Sequence, residues 1–198
     1  MAMKYVSIDI ETTGLDPEVH DVVEVGAVID DFTNPKPLDE LPTFHCYVRM
    51  RNYVLDPYCA FLHQAIFHRI SKFPDEEVSD KWNFYTKKEV VHKFADFLND
   101  NGFNSGRDSR YTISAAGKNF GAFDLQFLNK QLEFDKVIRF RHRFLDPGIL
   151  YFDPKVDTVI PSQQECLDRA NLDEQVEHTA VEDAMQVVKL LRNHYLGA

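Results

Sequence analysis

The stretch "YVSIDIETTGLD", residues 5–16, decides how the rest of the chain is read. Val6, Ile8 and Ile10 alternate with Tyr5, Ser7, Asp9 and Glu11, the two-residue period of a β-strand. The polar face of that strand carries two acids. Burying a carboxylate is costly unless a cation or hydrogen-bond donors compensate it. Two residues on, a strand has advanced about 6.6 Å on the same face, so the Asp9 and Glu11 carboxylates can converge on metal ions. Two-metal hydrolases hold their ions about 3.5–4 Å apart, to activate water and to stabilise the leaving oxygen. A solvated acidic face is the alternative that this motif alone leaves open. The "TTG" that follows (Thr12, Thr13, Gly14) reads as a turn whose glycine lets the backbone approach a ligand closely.

Working outward, "GLDPEVHD" is a turn, "VVEVGAVID" a second strand and "PTFHCYVRM" a third. Short links between them predict antiparallel pairing. "PYCAFLHQAIFHRI" (57–70) and "TKKEVVHKFADFLNDNG" (86–102) read as helices, the latter opened by a Thr86–Glu89 capping box and stopped at Gly102. "RYTISAAG" returns to strand, "FGAFDLQFLNKQL" to helix and "VIRFRHRFLD" to strand. "PSQQECLDRAN" has a second capping box, Ser162 with Glu165, and "HTAVEDAMQVVKLLRNHYL" is the last helix. The expected fold is α/β: a mixed central sheet with antiparallel first strands, flanked by helices, in a single domain over residues 1–198.

The net charge of −10 argues against binding duplex nucleic acid through a broad basic face. It leaves room for a nucleic-acid enzyme, because carboxylates gathered to hold cations add negative charge that the cations reverse locally. Mean hydropathy is −0.36, and no apolar run reaches the roughly 18 residues of a transmembrane helix, so no membrane partner is expected. The start of the chain lacks the layout of a secretory signal. Cys46, Cys59 and Cys166 are odd in number and widely spaced, which supports neither a disulfide framework nor a zinc knuckle and points to the cytoplasm.

In the last helix Thr179 and Glu182 fit a capping box, so Thr179 is the expected N-cap and His178 lies just outside the helix. At about 100° per residue, Ala180, Ala184, Val187, Val188 and Leu191 form an apolar stripe bordered by Asp183, while Glu182, Gln186 and Lys189 point away. An imidazole at a helix entrance and an inward acid one turn later suit a general base beside a metal ligand. A partly exposed histidine and a first-turn acid complementing the helix dipole are the plainer alternatives. In "GKNFGAFDLQFL" (117–128), Asp124 stands near the start of a helix that follows a strand, with the same alternative.

Together, "DIETTGLD", "GKNFGAFDLQFL" and "HTAVEDA", in that order, resemble the three motifs of the DEDDh 3′–5′ exonuclease superfamily, proofreading-type exonucleases on a ribonuclease H-like fold. The resemblance spans nearly the whole chain. It implies that Asp9, Glu11, Asp124 and Asp183 bind two divalent cations, Mg²⁺ or Mn²⁺, and that His178 is the general base. Thr12, Thr13, Gly14 and Leu15 would then lie against the 3′-terminal nucleotide, Leu15 against its base. The implied activity is hydrolysis of terminal phosphodiester bonds at the 3′ ends of single-stranded DNA or RNA, with DNA favoured, releasing nucleoside 5′-monophosphates. A polymerase or other processing partner would be a separate chain. One departure from the pattern is Lys118, where many members have histidine; it bears on substrate preference, since a lysine there can meet a backbone phosphate, plain solvation being the alternative. Asn119 beside it, and Phe120 and Phe123 as base-stacking rings, complete the expected substrate contacts.

Other features carry less. Arg139, Arg141 and Arg143 alternate on an expected strand and could track a phosphate backbone or simply guard an edge. His63 and His68, five apart, are not an i,i+4 ligand pair. Asp146, Asp153 and Asp157 sit around Asp-Pro turns. The competing readings are a nucleic-acid-end binding module without catalysis and a metal-dependent phosphatase.

Overall fold

The computed structural model describes residues 3–72, 82–176 and 178–197. Strand β1 (Lys4–Thr12) lies inside a sheet rather than at its edge. It pairs antiparallel with β2 (Val22–Asp31), which pairs antiparallel with β3 (Thr43–Arg49). Helices α1 (Pro57–Leu62) and α2 (Gln64–Lys72) precede β4 (Phe84–Thr86), which adds parallel to β3. After α3 (Lys87–Asp100) come β5 (Tyr111–Ile113) and β6 (Ala115–Ala116), the latter parallel to β1. The chain continues through α4 (Asp124–Leu132), α5 (Phe134–Val137), β7 (Ile138–Phe140), α6 (Pro147–Leu150), α7 (Gln163–Arg169) and α8 (Ala180–Leu196). Among the described residues the central sheet has the order β4-β3-β2-β1-β6, and β5 pairs separately with β7. This is the expected mixed α/β sheet with antiparallel first strands.

The period-two pattern of β1 sorts its side chains to the two helical layers. Val6, Ile8 and Ile10 pack with Val90, Val91, Phe94 and Leu98 of α3 and Phe127 and Leu128 of α4. Tyr5 and Val28 pack on the other face with Ala184, Val187, Val188 and Leu191 of α8, the stripe expected for that helix. Both expected capping boxes form, at Thr86–Glu89 and Ser162–Glu165, because cap chemistry needs only neighbouring residues. At α8, Thr179 is the N-cap, but its hydroxyl meets the Glu182 carboxylate directly.

Three elements differ from expectation. The helix expected over 57–70 breaks at His63, whose backbone leaves helical geometry (φ −99°, ψ 25°). The strand through "YTISAA" divides at Ser114: β5 serves β7, while the Ser114 carbonyl accepts the Val6 N–H (2.9 Å) and β6 serves β1. The expected strand over 137–146 keeps regular pairing only at 138–140, then touches the sheet again at Leu145, which bridges Ala116. Arg141, His142 and Arg143 are exposed, so no burial holds that stretch flat on a ladder.

Helix α8 is fixed to β2 at both ends. At its start Gly26 is essential: a Cβ there would overlap the backbone of Ala180 and Val181. Near its end Arg192 makes a two-armed pair with Asp30 (2.9 and 2.6 Å), and Tyr5 donates to the same carboxylate (2.9 Å). Gln186, expected on the outer face, is buried instead. Its amide donates to the Gln175 carbonyl (2.6 Å) and accepts from Gln163 (2.9 Å). The segment before α8 and helix α7 cover that side of the helix.

Candidate active site

Open α/β sheets bind ligands beyond the carboxyl ends of their parallel strands, and the motif acids gather there, past β1 and β6. Asp9 and Glu11 stand two apart near the end of β1. Asp124 is the first residue of α4, reached from β6 by a compact turn. That turn has no room for a side chain at Gly117, where a Cβ would lie 2.7 Å from the Ile8 carbonyl oxygen. Asn119 takes the left-handed region (φ 57°), and its N–H donates to Asp146 (3.0 Å). Asp183 comes from the first turn of α8, with its N–H on the Thr179 carbonyl (3.0 Å). His178, exposed, precedes the N-cap in the left-handed region (φ 54°), which turns its ring away from the helix axis toward the acids.

Asp9, Glu11, Asp124, His178 and Asp183 line one cavity of about 220 Å³, together with Ile10, Lys118, Asn119 and Phe123. One ligand atom from each of Glu11, His178 and Asp183 falls within 4.8 Å of the others. The electrostatics are those of a cation site. Burial, with Glu24, Asp183 and Asp124 beside it, pushes the Glu11 carboxyl up to about 9. Burial raises Asp124 to about 8, against opposing hydrogen bonds from its own backbone and that of Ile10. Asp9 is raised well above the usual carboxylate range by burial and by Asp124, Glu11, Asp183 and Glu24. So many oxygen ligands, ionised together only at a cost, fit hard divalent ions of the Mg²⁺ type.

Several residues at the site were not foreseen. Glu24, with no exposed surface, lies opposite Glu11 in the β1–β2 register. It sits 2.5 Å from His45 Nε2 and accepts the Ala180 N–H at 3.4 Å, so it holds the start of α8. Its signal was in the sequence: an acid inside the apolar run "VVEVGAV" breaks the same burial rule as Asp9 and Glu11. His63 Nε2 lies 3.3 Å from Glu11 Oε2, a contact across the fold with no local signature. Gln164, Gln186 and Lys189 fasten residues 174–176, on the approach to His178.

The expected substrate contacts divide. Thr12 donates to the Gly14 carbonyl (2.8 Å), and buried Thr13 accepts the Asp21 N–H (2.9 Å), so both hydroxyls are engaged within the turn. Gly14 sits against the His20 ring. Leu15 is free to meet a ligand, at 79% exposure. Lys118 donates to Asn119 (3.0 Å) on the cavity wall, and partly exposed Phe123 lines the same wall. Phe120 is a correction: it is 1% exposed, packed on Phe140 and Phe144, and offers no face for stacking a base. Two rings on α1 are open instead, Tyr58 (71%) and Phe61 (73%). The Asp56 N-cap of α1 donates its N–H to the Thr13 carbonyl (2.8 Å), which sets that helix against the turn.

Residues 6–191 match the RNase_T family model, described as exonuclease. The chain belongs to this exonuclease family, within the DEDDh superfamily that its three motifs resemble. No curated protein matches it. Among solved structures, the nuclease domain of 3′hExo, a DEDDh family member bound to rAMP, superposes with TM-score 0.66 at 18% identity, over 100% of this chain and 94% of that one. Cell-death related nuclease 4 (CRN-4) gives 0.65 at 15% identity, covering 99% and 65%. A full-length 3′-exonuclease gives 0.64 at 18%, covering 99% and 62%. The chain thus spans under two thirds of the latter two proteins, and the shared fold is the ribonuclease H-like one. No described helix is long and apolar enough to cross a membrane.

Proposed function

We propose that residues 1–198 form one 3′–5′ exonuclease domain that removes nucleoside 5′-monophosphates from single-stranded DNA or RNA. The observation that carries this reading is the convergence of Asp9, Glu11, Asp124, Asp183 and His178 on one cavity beyond the ends of β1 and β6. Mg²⁺ or Mn²⁺ held among the four acids would supply Lewis acidity and neutralise charge at the phosphate undergoing attack. The chain's own residues do the rest. His178, turned toward the acids on the wall of the same cavity, accepts the proton of the attacking water. Lys118 and Asn119 orient the scissile phosphate from the cavity wall. Leu15, Phe123, Tyr58 and Phe61 grip the terminal bases, since a ring or aliphatic face stacks any base. The rAMP bound in the 3′hExo structure agrees with a nucleoside monophosphate product.

The test is Mg²⁺- and Mn²⁺-dependent digestion of matched single-stranded and duplex DNA and RNA carrying free 3′ hydroxyls. Asp9→Asn and Asp183→Asn should abolish digestion in folded protein, and activity surviving in both rejects the assignment. His178→Ala should reduce turnover with Mn²⁺ affinity kept; loss of affinity instead makes His178 a ligand. Digestion of a simple phosphoester as readily as an oligonucleotide would favour the phosphatase reading.

A further inference from the structure

A second cavity lies away from the acids. It is a groove of about 740 Å³ at the other end of β1, where Met3 and Lys4 begin the strand. Its walls carry Lys4, Arg139, Arg141 and Arg143, and among the described residues its lining includes no acid. Phe103 and Phe140 give it apolar surface, and Thr112 and Ser114 add hydroxyls. Arg139 pairs with Asp108, which also holds Arg110, and the Lys4 ammonium donates to the Asn101 carbonyl while lying over the Phe103 ring. Arg141 and Arg143 are exposed, and among the described residues neither has an ion pair. In a chain of net charge −10, such a concentration of cations around an open apolar groove calls for a polyanion.

We propose that this groove is a second binding station, which holds the phosphodiester backbone of a polynucleotide away from the reaction centre. Cations beside aromatic surface are the pattern by which proteins hold single strands without reading sequence. From Lys4 to Asp9 the strand advances about 17 Å, some five nucleotides at about 3.4 Å per nucleotide of helical strand. A dinucleotide seated at the acids cannot reach the groove, whereas a long strand can. The choice of a polynucleotide over another polyanion rests on the exonuclease reading of the acid site; the groove itself does not.

The experiment compares the wild-type chain with the Arg141→Glu/Arg143→Glu double variant, both positions being exposed and, among the described residues, without an ion pair. Binding of a single-stranded 30-mer is measured in chelator, where no cleavage occurs, across a salt series. Hydrolysis of a dinucleotide is measured separately with Mn²⁺. The double variant should bind the 30-mer at least tenfold more weakly, with a salt slope shallower by about 1.4, at about 0.7 per lost phosphate contact. Its dinucleotide hydrolysis should match wild type. Unchanged 30-mer binding overturns the proposal, as does an equal loss on the dinucleotide, which would place the arginines at the reaction centre. Competition by polyglutamate as effective as by oligonucleotide also overturns it, in favour of an acidic protein partner. Failure of the wild-type chain to hydrolyse any oligonucleotide would instead reject the exonuclease reading, whatever the binding shows.

Discussion

Glu11 faces Glu24 directly across the β1–β2 ladder, a position where like charges repel. The two acids find relief in different ways. Glu24 is answered by His45 and by the first N–H of α8, at the positive end of that helix. Among the described residues the ion-pair partner of Glu11 is His63, at 3.3 Å. Burial, together with nearby His178, keeps the His63 imidazole below its usual pKa and therefore neutral near pH 7. Among the described residues its buried Nδ1 has no hydrogen-bond partner, so a proton on Nε2, directed at Glu11, is the tautomer the surroundings favour. His63 would then aim a ligand carboxylate, and partners of that kind contribute about 10–100-fold in metal affinity. His63→Ala should weaken Mn²⁺ binding by a factor in that range, read by titration calorimetry. His63→Gln, whose amide can donate to the same oxygen, should recover most of it. A folded His63→Ala protein with wild-type Mn²⁺ affinity would remove His63 from the site.

Helix α8 delivers Asp183, and Gly26 determines how close it comes. Gly26 pairs with Asp9 in the β1–β2 register, so helix and sheet cross beside one of the acids of the cavity. Gly26→Ala puts a methyl group into the backbone of Ala180 and Val181, which cannot rotate aside as a side chain can. The helix must lift, at a cost of about 1–3 kcal/mol, or roughly 2–12 °C in thermal midpoint for a chain of this size. Mn²⁺ affinity should fall with it, because Asp183 moves with the helix. A variant such as Val188→Ala, which thins the packing farther along α8, should lose stability with affinity retained; equal affinity in both variants would show that Gly26 does not set the approach. What the sequence made legible follows from range. Capping boxes, the antiparallel strands and the burial violation at Asp9 and Glu11 depend on residues close in the chain. The same violation at Glu24 was there to be read in "VVEVGAV". Gly26 and His63 were not legible, because their meaning lies in elements that cross them from far along the chain. A helical wheel placed Gln186 outward because it knows one neighbour, the sheet, whereas the segment around Gln175 covers the other side.

Across the molecule, acids concentrate beyond one end of β1 and arginines around the other, so a single net charge of −10 hides two local fields of opposite sign. The acid end also couples folding to pH. Without metal, Glu11 and Asp124 hold their protons up to about 9 and about 8, against ordinary values of 4.5 and 3.8. Between those limits the folded chain binds more protons than the unfolded one, so stability falls as pH rises through the window. Asp30 works with the opposite sign. Burial would raise its carboxyl, but hydrogen bonds from Arg192 and Tyr5 outweigh that and hold it below 3.8. Its contribution is present above that value and lost as the pH falls through its folded pKa. Metal-free protein should therefore be most stable in mildly acidic solution. Metal competes with the protons on Glu11 and Asp124, so the stabilisation it gives should grow with pH. Thermal midpoints from pH 5 to 9, in chelator and in Mg²⁺, should show a falling curve in the first case and a widening gap between the two. A gap that stays constant with pH would mean that metal binding displaces no protons, and that the buried acids are already ionised without it.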